Sequence, residues 1–433
     1  MLISNIALKV VRVQRETEIA IVGAGPAGAF TALNLAKLGL AQKVAVFEEH
    51  DIVGRPSHCA GHLNIKSLNK LGIRLPEKII ENRIRGARFY SPNGLSFEVK
   101  RESPVTLVVN RELFDQMIAR EAEKLGVMFR LNCRVRQLLV EAGKVDGLII
   151  RNRDKDEDEV VRSKVVVDAE GCPATLLKKA GFPCLSPKSY VYGGQAEIDE
   201  ISDVELDMVE VYLGRKFAPG FFAWIIPRQD GTAKVGLAVK YGNPKRHLLN
   251  FICKHPIASK KLHKSHVVSL SFHPIPLGGP IPKTYGNGLL VVGDAASQVK
   301  PTTGGGVITG MICAEIAAKT ILKALNLNDF SERVLAEYQK AWTRRLGFEF
   351  KVMLRLRKML DRLSDRRVDK LFEFCIKTGL NETLEKVGDV DWQGRTLLRA
   401  ALNPKGLIPL LYLVWSALTE GELSAWQSSN INR

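Results

Sequence analysis

The sequence predicts an α/β protein with α+β insertions: a Rossmann-type dinucleotide-binding domain, a second sheet-rich domain and a helical C-terminal extension. Three observations carry this. A buried-type strand at 18–22 runs into Gly23-Ala24-Gly25-Pro26-Ala27-Gly28 and then a helix. A second glycine junction, Gly293-Asp294 to Gly304-Gly305-Gly306, follows another buried strand far down the chain. Beyond Glu332 strand signals vanish and helical periodicity takes over. At 433 residues the chain exceeds what one hydrophobic core supports, so two or three domains are expected.

Each element follows from local chemistry. Pro26 suits a first helical turn, where its missing N–H is harmless. The helix runs through Leu38, Gly39 stops it, and the strand 44–47 is closed by Glu48. Strand-like segments follow at 87–89, 95–99 and 105–109, then a helix at 111–125 and short strands at 127–131, 134–140 and 145–150. A charged turn at 153–159 precedes a buried strand, 164–167, that ends in Asp168-Ala169-Glu170-Gly171. Residues 190–239 read as a sizeable sheet, with strands at 191–198, 208–213, 221–226 and 232–239. A strand at 289–292 leads to the second glycine junction. The helix after it carries Gly310, Ala314, Ala317 and Ala318, a small-residue face for close packing. The expected division is a discontinuous cofactor domain (1–71, 111–174 and 281–330), a β-sheet substrate domain (72–110 and 175–280) and a helical domain (331–433).

The net charge of +17 would suit anionic lipid, nucleic acid or phosphorylated substrates, or solubility alone. No nucleic-acid module and no basic patch interleaved with aromatics is present, so no nucleic-acid partner is expected. Seven cysteines stand singly, without a CxxC pair, which argues against a disulfide scaffold or a metal site and for a reducing compartment. Residues 1–16 lack a signal-peptide pattern, and no window approaches the ~20 apolar residues of a spanning helix. The expected location is cytoplasmic, with contact to the inner face of the cell membrane left open. In the helical tail Lys351, Arg355, Lys358, Arg362 and Arg366 form one basic stripe, which suits either a solvated face or an anionic membrane.

The first glycine loop has the chemistry of a diphosphate cradle. Gly23 permits the tight turn, Gly25 lets the backbone approach the ligand, Ala27 stands beside them, and Gly28 lets helix and strand pack closely. The helix start supplies unpaired N–H groups and a positive dipole end. Glu48, twenty residues after Gly28, is placed to accept hydrogen bonds from an adenosine ribose. This loop alone does not separate NAD from FAD. The second junction does: Asp294 ends a buried strand and can accept from ribityl hydroxyls. Gly304 to Val307 can present N–H donors to the flavin edge where negative charge gathers on reduction. Together with Gly293, these residues indicate one FAD gripped at both ends.

Here the sequence resembles the FAD enzymes of the p-hydroxybenzoate hydroxylase fold. Asp168-Ala169-Glu170-Gly171 is similar to that fold's middle Asp-Gly motif, with Glu170 departing from it. Asn110-Arg111-Glu112-Leu113-Phe114-Asp115 is similar to the helix start whose Arg approaches the cofactor; capping and surface roles stay open for Arg111 and Asp168. Gly54-Arg55-Pro56-Ser57-His58-Cys59-Ala60-Gly61 looks like the Gly-x-Pro-x-x-Cys-x-x-Gly region of geranylgeranyl reductases, its last glycine one place early. Phe222-Ala223-Trp224-Ile225-Ile226-Pro227, with Gly236 beyond, resembles their Tyr-x-Trp-x-Phe-Pro…Gly signature. Phe222 replaces the Tyr, so no phenolic proton donor stands there.

The resemblance spans about residues 18–330 and implies reduction of C=C bonds in the isoprenoid chains of archaeal-type membrane lipids by hydride from reduced FAD. Arg55, Cys59 and Ala60 would then flank the flavin, and Cys59, Phe222 and Trp224 are the catalytic candidates. An unactivated alkene needs a dry, apolar and well-oriented pocket, which Phe221, Phe222, Trp224 and Ile226 would wall. Cys59 can gate, orient or donate a proton, or be an inert buried thiol; His58 and His62 read as solvated loop histidines. The implied electron donor, NAD(P)H, reduced deazaflavin or ferredoxin, stays open. The competing readings are an aromatic hydroxylase or halogenase of the same fold and, from another class, a non-enzymatic basic membrane- or nucleic-acid-binding protein.

Overall fold

A computed structural model describes residues 12–154 and 156–431 of the chain; the reading of the N-terminal stretch lies, for residues 1–11, outside them. Short β-branched runs, buried on both faces, make a parallel core sheet. Its order is Tyr285–Gly286, Leu289–Val291, Glu157–Asp168, Arg12–Val22, Val44–Phe47, Met128–Arg130, and every pairing after the first is parallel. The antiparallel hairpin Cys133–Glu141 and Lys144–Asn152 attaches to the outer part of Glu157–Asp168. That strand begins earlier than its apolar run suggests. Its first part alternates buried residues with more exposed ones against the hairpin, and only its last four residues, 165–168, are continuously buried.

A seven-stranded sheet lies apart from the first, in the order Val267–Pro276, Tyr190–Ile198, Ala233–Val239, Phe222–Pro227, Met208–Leu213, Gly86–Tyr90, Ser96–Lys100. One pairing in it is parallel, Met208–Leu213 with Gly86–Tyr90. A three-stranded sheet, His62–Asn64, Thr106–Val109 and Ile80–Ile84, completes the β structure. Val267–Pro276 and the helix Pro244–Lys254 have no counterpart in the sequence reading.

Helices cover the parallel sheet. Gly310, Ala314, Ala317 and Ala318 on Val307–Leu327 are all buried, and a Cβ on Gly310 would stand 3.3 Å from the Gly293 Cα, so the small-residue face is what lets this helix approach the second glycine turn. The long helix Glu332–Arg362 sends Leu335, Tyr338, Trp342, Leu346, Phe350 and Met353 into the same core at three- and four-residue steps. Tyr338 ties it to the turn: its hydroxyl donates to the Val291 carbonyl (3.0 Å) and accepts from Gln298 Nε2 (2.8 Å), while Gln298 Oε1 accepts from the Gly293 N–H (2.9 Å).

The basic stripe is not on one helix. Glu332–Arg362 ends before buried Leu363, and Asp365–Thr378 starts after Ser364 at the cap position, so Arg366 belongs to the second helix. The Ser-Asp pair is itself a helix-start signal that the stripe's spacing concealed. Lys351, Arg355, Lys358, Arg362 and Arg366 are all exposed.

Candidate functional site

A cavity of about 1820 Å³ opens where the carboxyl ends of the parallel strands face the seven-stranded sheet. Gly23, Gly25, Ala27, Glu48, Arg55, Cys59, Ala60, Arg111 and Gly171 line it. So do Gly293, Asp294, Gly305, Gly306, Val307, Phe222 and Trp224. Gly28 and Asp168 stand behind this wall. A Cβ on Gly28 would collide with the Gly23 carbonyl, so this glycine serves the strand–helix junction. Asp168 is fully buried; its Oδ1 accepts from the Glu170 N–H (3.0 Å) and its Oδ2 has no hydrogen-bond partner among the described residues.

The two glycine turns present empty backbone to the cavity. At Gly25 a Cβ would meet nothing within 4 Å, and Gly25 caps the helix Pro26–Leu35 without any side-chain hydrogen bond. The helix Val307–Leu327 starts at Gly306, again without a side-chain cap. A Cβ on Gly306 would come 2.5 Å from Asp294 Oδ1, and one on Gly305 2.7 Å from Lys300 Cε. Two helix N-termini with free N–H groups therefore converge on one space.

Charged groups around these turns are held in place. Glu48 braces the first loop: Oε2 accepts from the Ala24 N–H (2.7 Å), and Oε1 accepts from the His50 N–H (3.1 Å) and lies 2.6 Å from His50 Nδ1. Arg111 is buried, makes a fork to Asp115 (3.1 and 2.8 Å), and lies against the Cys59 thiol. Burial pulls its guanidinium pKa down, but Asp115 and Cys59 outweigh this and hold it above its ordinary value. Burial pushes the Asp294 carboxyl up to about 6, with Arg111 opposing. Arg55 pairs with Glu112 at 2.9 Å. Glu170, the residue that departs from the Asp-Gly pattern, caps the short helix Thr175–Lys179 by accepting from the Thr175 (2.9 Å) and Leu176 (2.9 Å) N–H groups.

The opposite wall is one face of the seven-stranded sheet. Phe222, Trp224 and Ile226 alternate onto it, and Ala87, Phe89, Val209 and Val211 continue it outward. Phe221 precedes the strand and lies outside this wall; it stacks on Phe222 (4.2 Å) beneath the Arg357 guanidinium (5.1 Å). Trp224 lies across Gly236, whose Cβ would overlap the indole, 2.8 Å from Nε1. The loop histidines are not solvated. His58 stacks on His273 (3.9 Å between ring centroids), and His62 Nε2 sits 2.5 Å from the Thr106 hydroxyl. Burial pushes each of them down to about 4, aided at His58 by His273 and at His62 by Lys300.

The sequence reading missed the residues that close the cavity. Lys300 Nζ pairs with Asp391 (2.6 Å) in a buried ion pair and donates to the Val390 carbonyl (3.2 Å); Ser67 Oγ donates to Asp391 (2.5 Å), and Asn64 Nδ2 to Asp389 (3.1 Å). Lys300, four residues before Gly304, was a findable candidate. Its partner, 91 residues later, carries no local signal.

A family model described as an FAD binding domain matches residues 16–345. Digeranylgeranylglycerophospholipid reductase 2 of Methanopyrus kandleri is 31% identical over 364 residues, covering 83% of this chain and 90% of that protein. The digeranylgeranylglycerophospholipid reductase of Methanocaldococcus jannaschii is 32% identical, covering 86% and 92%. The chain belongs to the digeranylgeranylglycerophospholipid reductase family. A geranylgeranyl bacteriochlorophyll reductase-like protein of Thermoplasma acidophilum superposes on this family member with a TM-score of 0.81 at 27% identity, over 92% of this chain and all of that one. A flavin-dependent brominase, TM-score 0.68 at 18% identity, shares the fold alone.

The cofactor of this family member is FAD. The residues present fit it: an open Gly25 at an uncapped helix start, side-chain-free positions 305 and 306 at another, and Asp294 beneath them. Among the described residues no single helix is long and apolar enough to cross a membrane. Gln393–Ala401 and Pro404–Thr419 reach that length and composition only together, across a 109° bend.

Proposed function

We propose that this chain saturates C=C bonds of geranylgeranyl chains in isoprenoid membrane phospholipids, as the names of its relatives describe for them. The supporting observation is the continuity of one cavity, from the two glycine turns to the apolar face around Trp224 and Val211. An extended prenyl chain needs such a face, and a flavin reaction needs it joined to the cofactor cradle. In this reading the parallel sheet and its helices form the cofactor domain, the seven-stranded sheet the substrate domain, and the segment beyond residue 330 the cover.

Bound FAD, once reduced, supplies the hydride. The chain's own residues do the rest. Gly23, Gly25, Ala27 and the start of Pro26–Leu35 hold the diphosphate, with Gly28 and Glu48 fixing the loop's shape. Gly293, Asp294, Gly305, Gly306 and Val307 hold the ribityl and ring edge, with Asp168 and Gly171 behind and beside them. Arg55, Cys59, Ala60 and Arg111 form the lip over the ring. Arg111 holds Cys59 in place, while Phe222 and Trp224 seat the alkene and keep bulk solvent from it.

We further propose peripheral association with an anionic membrane. Leu402, Leu407 and Ile408 are exposed at the bend between the last two helices and Leu411, Trp415 and Leu418 further along the second, with exposed Arg399 beside the bend. Gln393 and Thr396, at the far end of the first of those helices from the bend, line the cavity, so this one helix connects the exposed apolar bend to the site. The function is tested by reducing the holoenzyme anaerobically with dithionite, removing excess reductant, and adding digeranylgeranylglycerophospholipid. Return of the oxidised-flavin absorbance is expected with this lipid and not with its fully saturated counterpart. Equal behaviour with both lipids overturns the reading.

A further inference from the structure

The sheet face in the cavity is chemically divided. Residues opposite one another in a ladder share a face, so Phe89, Val211, Trp224, Gly236, Gln195 and Ser271 form one row across six strands. The row is apolar up to Trp224 and polar beyond Gly236. His273 follows Ser271 at the next same-face position, and His58 stacks on it from the Cys59 loop. Gln195, Ser271, His58 and His273 all line the cavity.

Two polar atoms in this row lack partners. Trp224 Nε1, a donor, and Gln195 Oε1, an acceptor, are both buried with no hydrogen-bond partner among the described residues, and Gln195 is only 5% exposed. The missing side chain at Gly236 lets the indole, Nε1 included, lie over the strand that separates Trp224 from Gln195. Leaving a buried polar group without a partner is unfavourable, so each of these atoms calls for one. A buried donor and a buried acceptor that flank the bare Gly236 strand from its two sides in a polar pocket are what a bridging water molecule satisfies.

We propose that Trp224 Nε1 and Gln195 Oε1 hold a water molecule at the head of a proton track, which runs past Ser271 and the His58–His273 stack and supplies the proton for alkene saturation. This rests on the reductase reading. The balance is complete: the hydride from reduced flavin forms one C–H bond and a proton from the held water forms the other. The C=C π bond breaks, the flavin loses two electrons, and the resulting hydroxide regains its proton along the track from solvent. Burial lowers the pKa of both His58 and His273, so at neutral pH each is an uncharged ring with one donor and one acceptor, suited to line a water path without fixing a charge there. Gln195 is a positioning residue, acting through the water.

The test compares the holoenzyme with Gln195→Leu, which removes the acceptor at similar volume, and Gln195→Glu, which keeps an acceptor in place. A crystal structure of the wild-type holoenzyme is expected to show an ordered water within hydrogen-bond distance of both atoms, absent in Gln195→Leu. For lipid saturation, Gln195→Leu is expected to lower kcat about tenfold or more, with KM unchanged and a larger solvent isotope effect; Gln195→Glu should restore most of the rate. Ser271→Ala, a milder change in the same row, should raise the isotope effect in the same direction. Absence of the water, or wild-type kcat and isotope effect in Gln195→Leu, overturns the proposal. If wild-type enzyme saturates no prenyl chain, the functional reading falls, and the crystal structure still decides the water site on its own.

Discussion

Lys300 and Asp391 form a buried ion pair, 2.6 Å long, that fastens the turn before the second glycine triplet to the C-terminal helical cover. Asp391 is held ionised: burial raises its carboxyl pKa, but Lys300 and Ser67 more than offset this and keep it below the ordinary value. Hydrogen bonds from Lys300 to the Val390 carbonyl and from Thr302 to Gln393 join the same turn to the same roof, with this ion pair as the buried charged contact among them. Removing one partner leaves a buried charge unpaired, at a cost of about 3–5 kcal/mol. Lys300→Met should therefore lower the unfolding free energy by that order and speed FAD loss, followed by chemical denaturation and flavin fluorescence. The double variant Lys300→Met/Asp391→Leu should recover much of the stability, because no lone charge remains.

The glycines of the first loop should separate by role. Gly28→Ala puts a Cβ into the Gly23 carbonyl and should destabilise the protein even without cofactor. Gly25→Ala adds a methyl that touches no protein atom, so the apoprotein's melting temperature should stay close to wild type while FAD affinity falls. Thermal melts of both apoproteins, with FAD titrations, check the contrast.

Gly236→Ala should act through Trp224. The new methyl overlaps the indole and forces it off the strand, so lipid turnover should fall at least about tenfold while FAD stays bound, since no flavin-side residue moves. Turnover measured beside the flavin spectrum reads both.

Asp294 predicts a pH signature in the apoprotein. Its folded pKa, raised by burial to about 6, lies above the unfolded carboxylate value. The stability it contributes is fully present below the unfolded value and is lost as pH rises through about 6. Asp294→Asn has no such loss, so its melting temperature relative to wild type should climb from pH 4 to about pH 6 and level off above. A flat difference across that range would refute the buried-carboxylate account.

What was legible in the sequence was local. Gly23 to Gly28 with Glu48, and Asp294 with Gly304 to Gly306, sit within short strand–turn–helix units whose glycines and helix starts are readable locally, and the two units meet on one cavity. Trp224 with Gly236 was legible as a motif, though its reason, an indole laid over a bare backbone, needed the ladder register. The polar half of the floor was not legible. Gln195 and Ser271 meet Trp224 only through pairings of distant strands; the strand Val267–Pro276 itself does carry a local signal, the alternation of Val268, Leu270 and Phe272 with Ser269, Ser271 and His273, but not its partner. His58 and His62 looked like loop histidines because the groups that bury them, His273 and Thr106, come from those same long-range pairings. Asp391 was invisible for the same reason.

The most direct measurement of the central claim is mass spectrometry of digeranylgeranylglycerophospholipid after anaerobic incubation with the dithionite-reduced holoenzyme in deuterated water. The account predicts saturation of prenyl double bonds with deuterium at both carbons of each saturated bond, because the hydride carried by dithionite-reduced flavin and the added proton both derive from the solvent. A yellow, fully loaded enzyme that leaves every prenyl chain unchanged would contradict it.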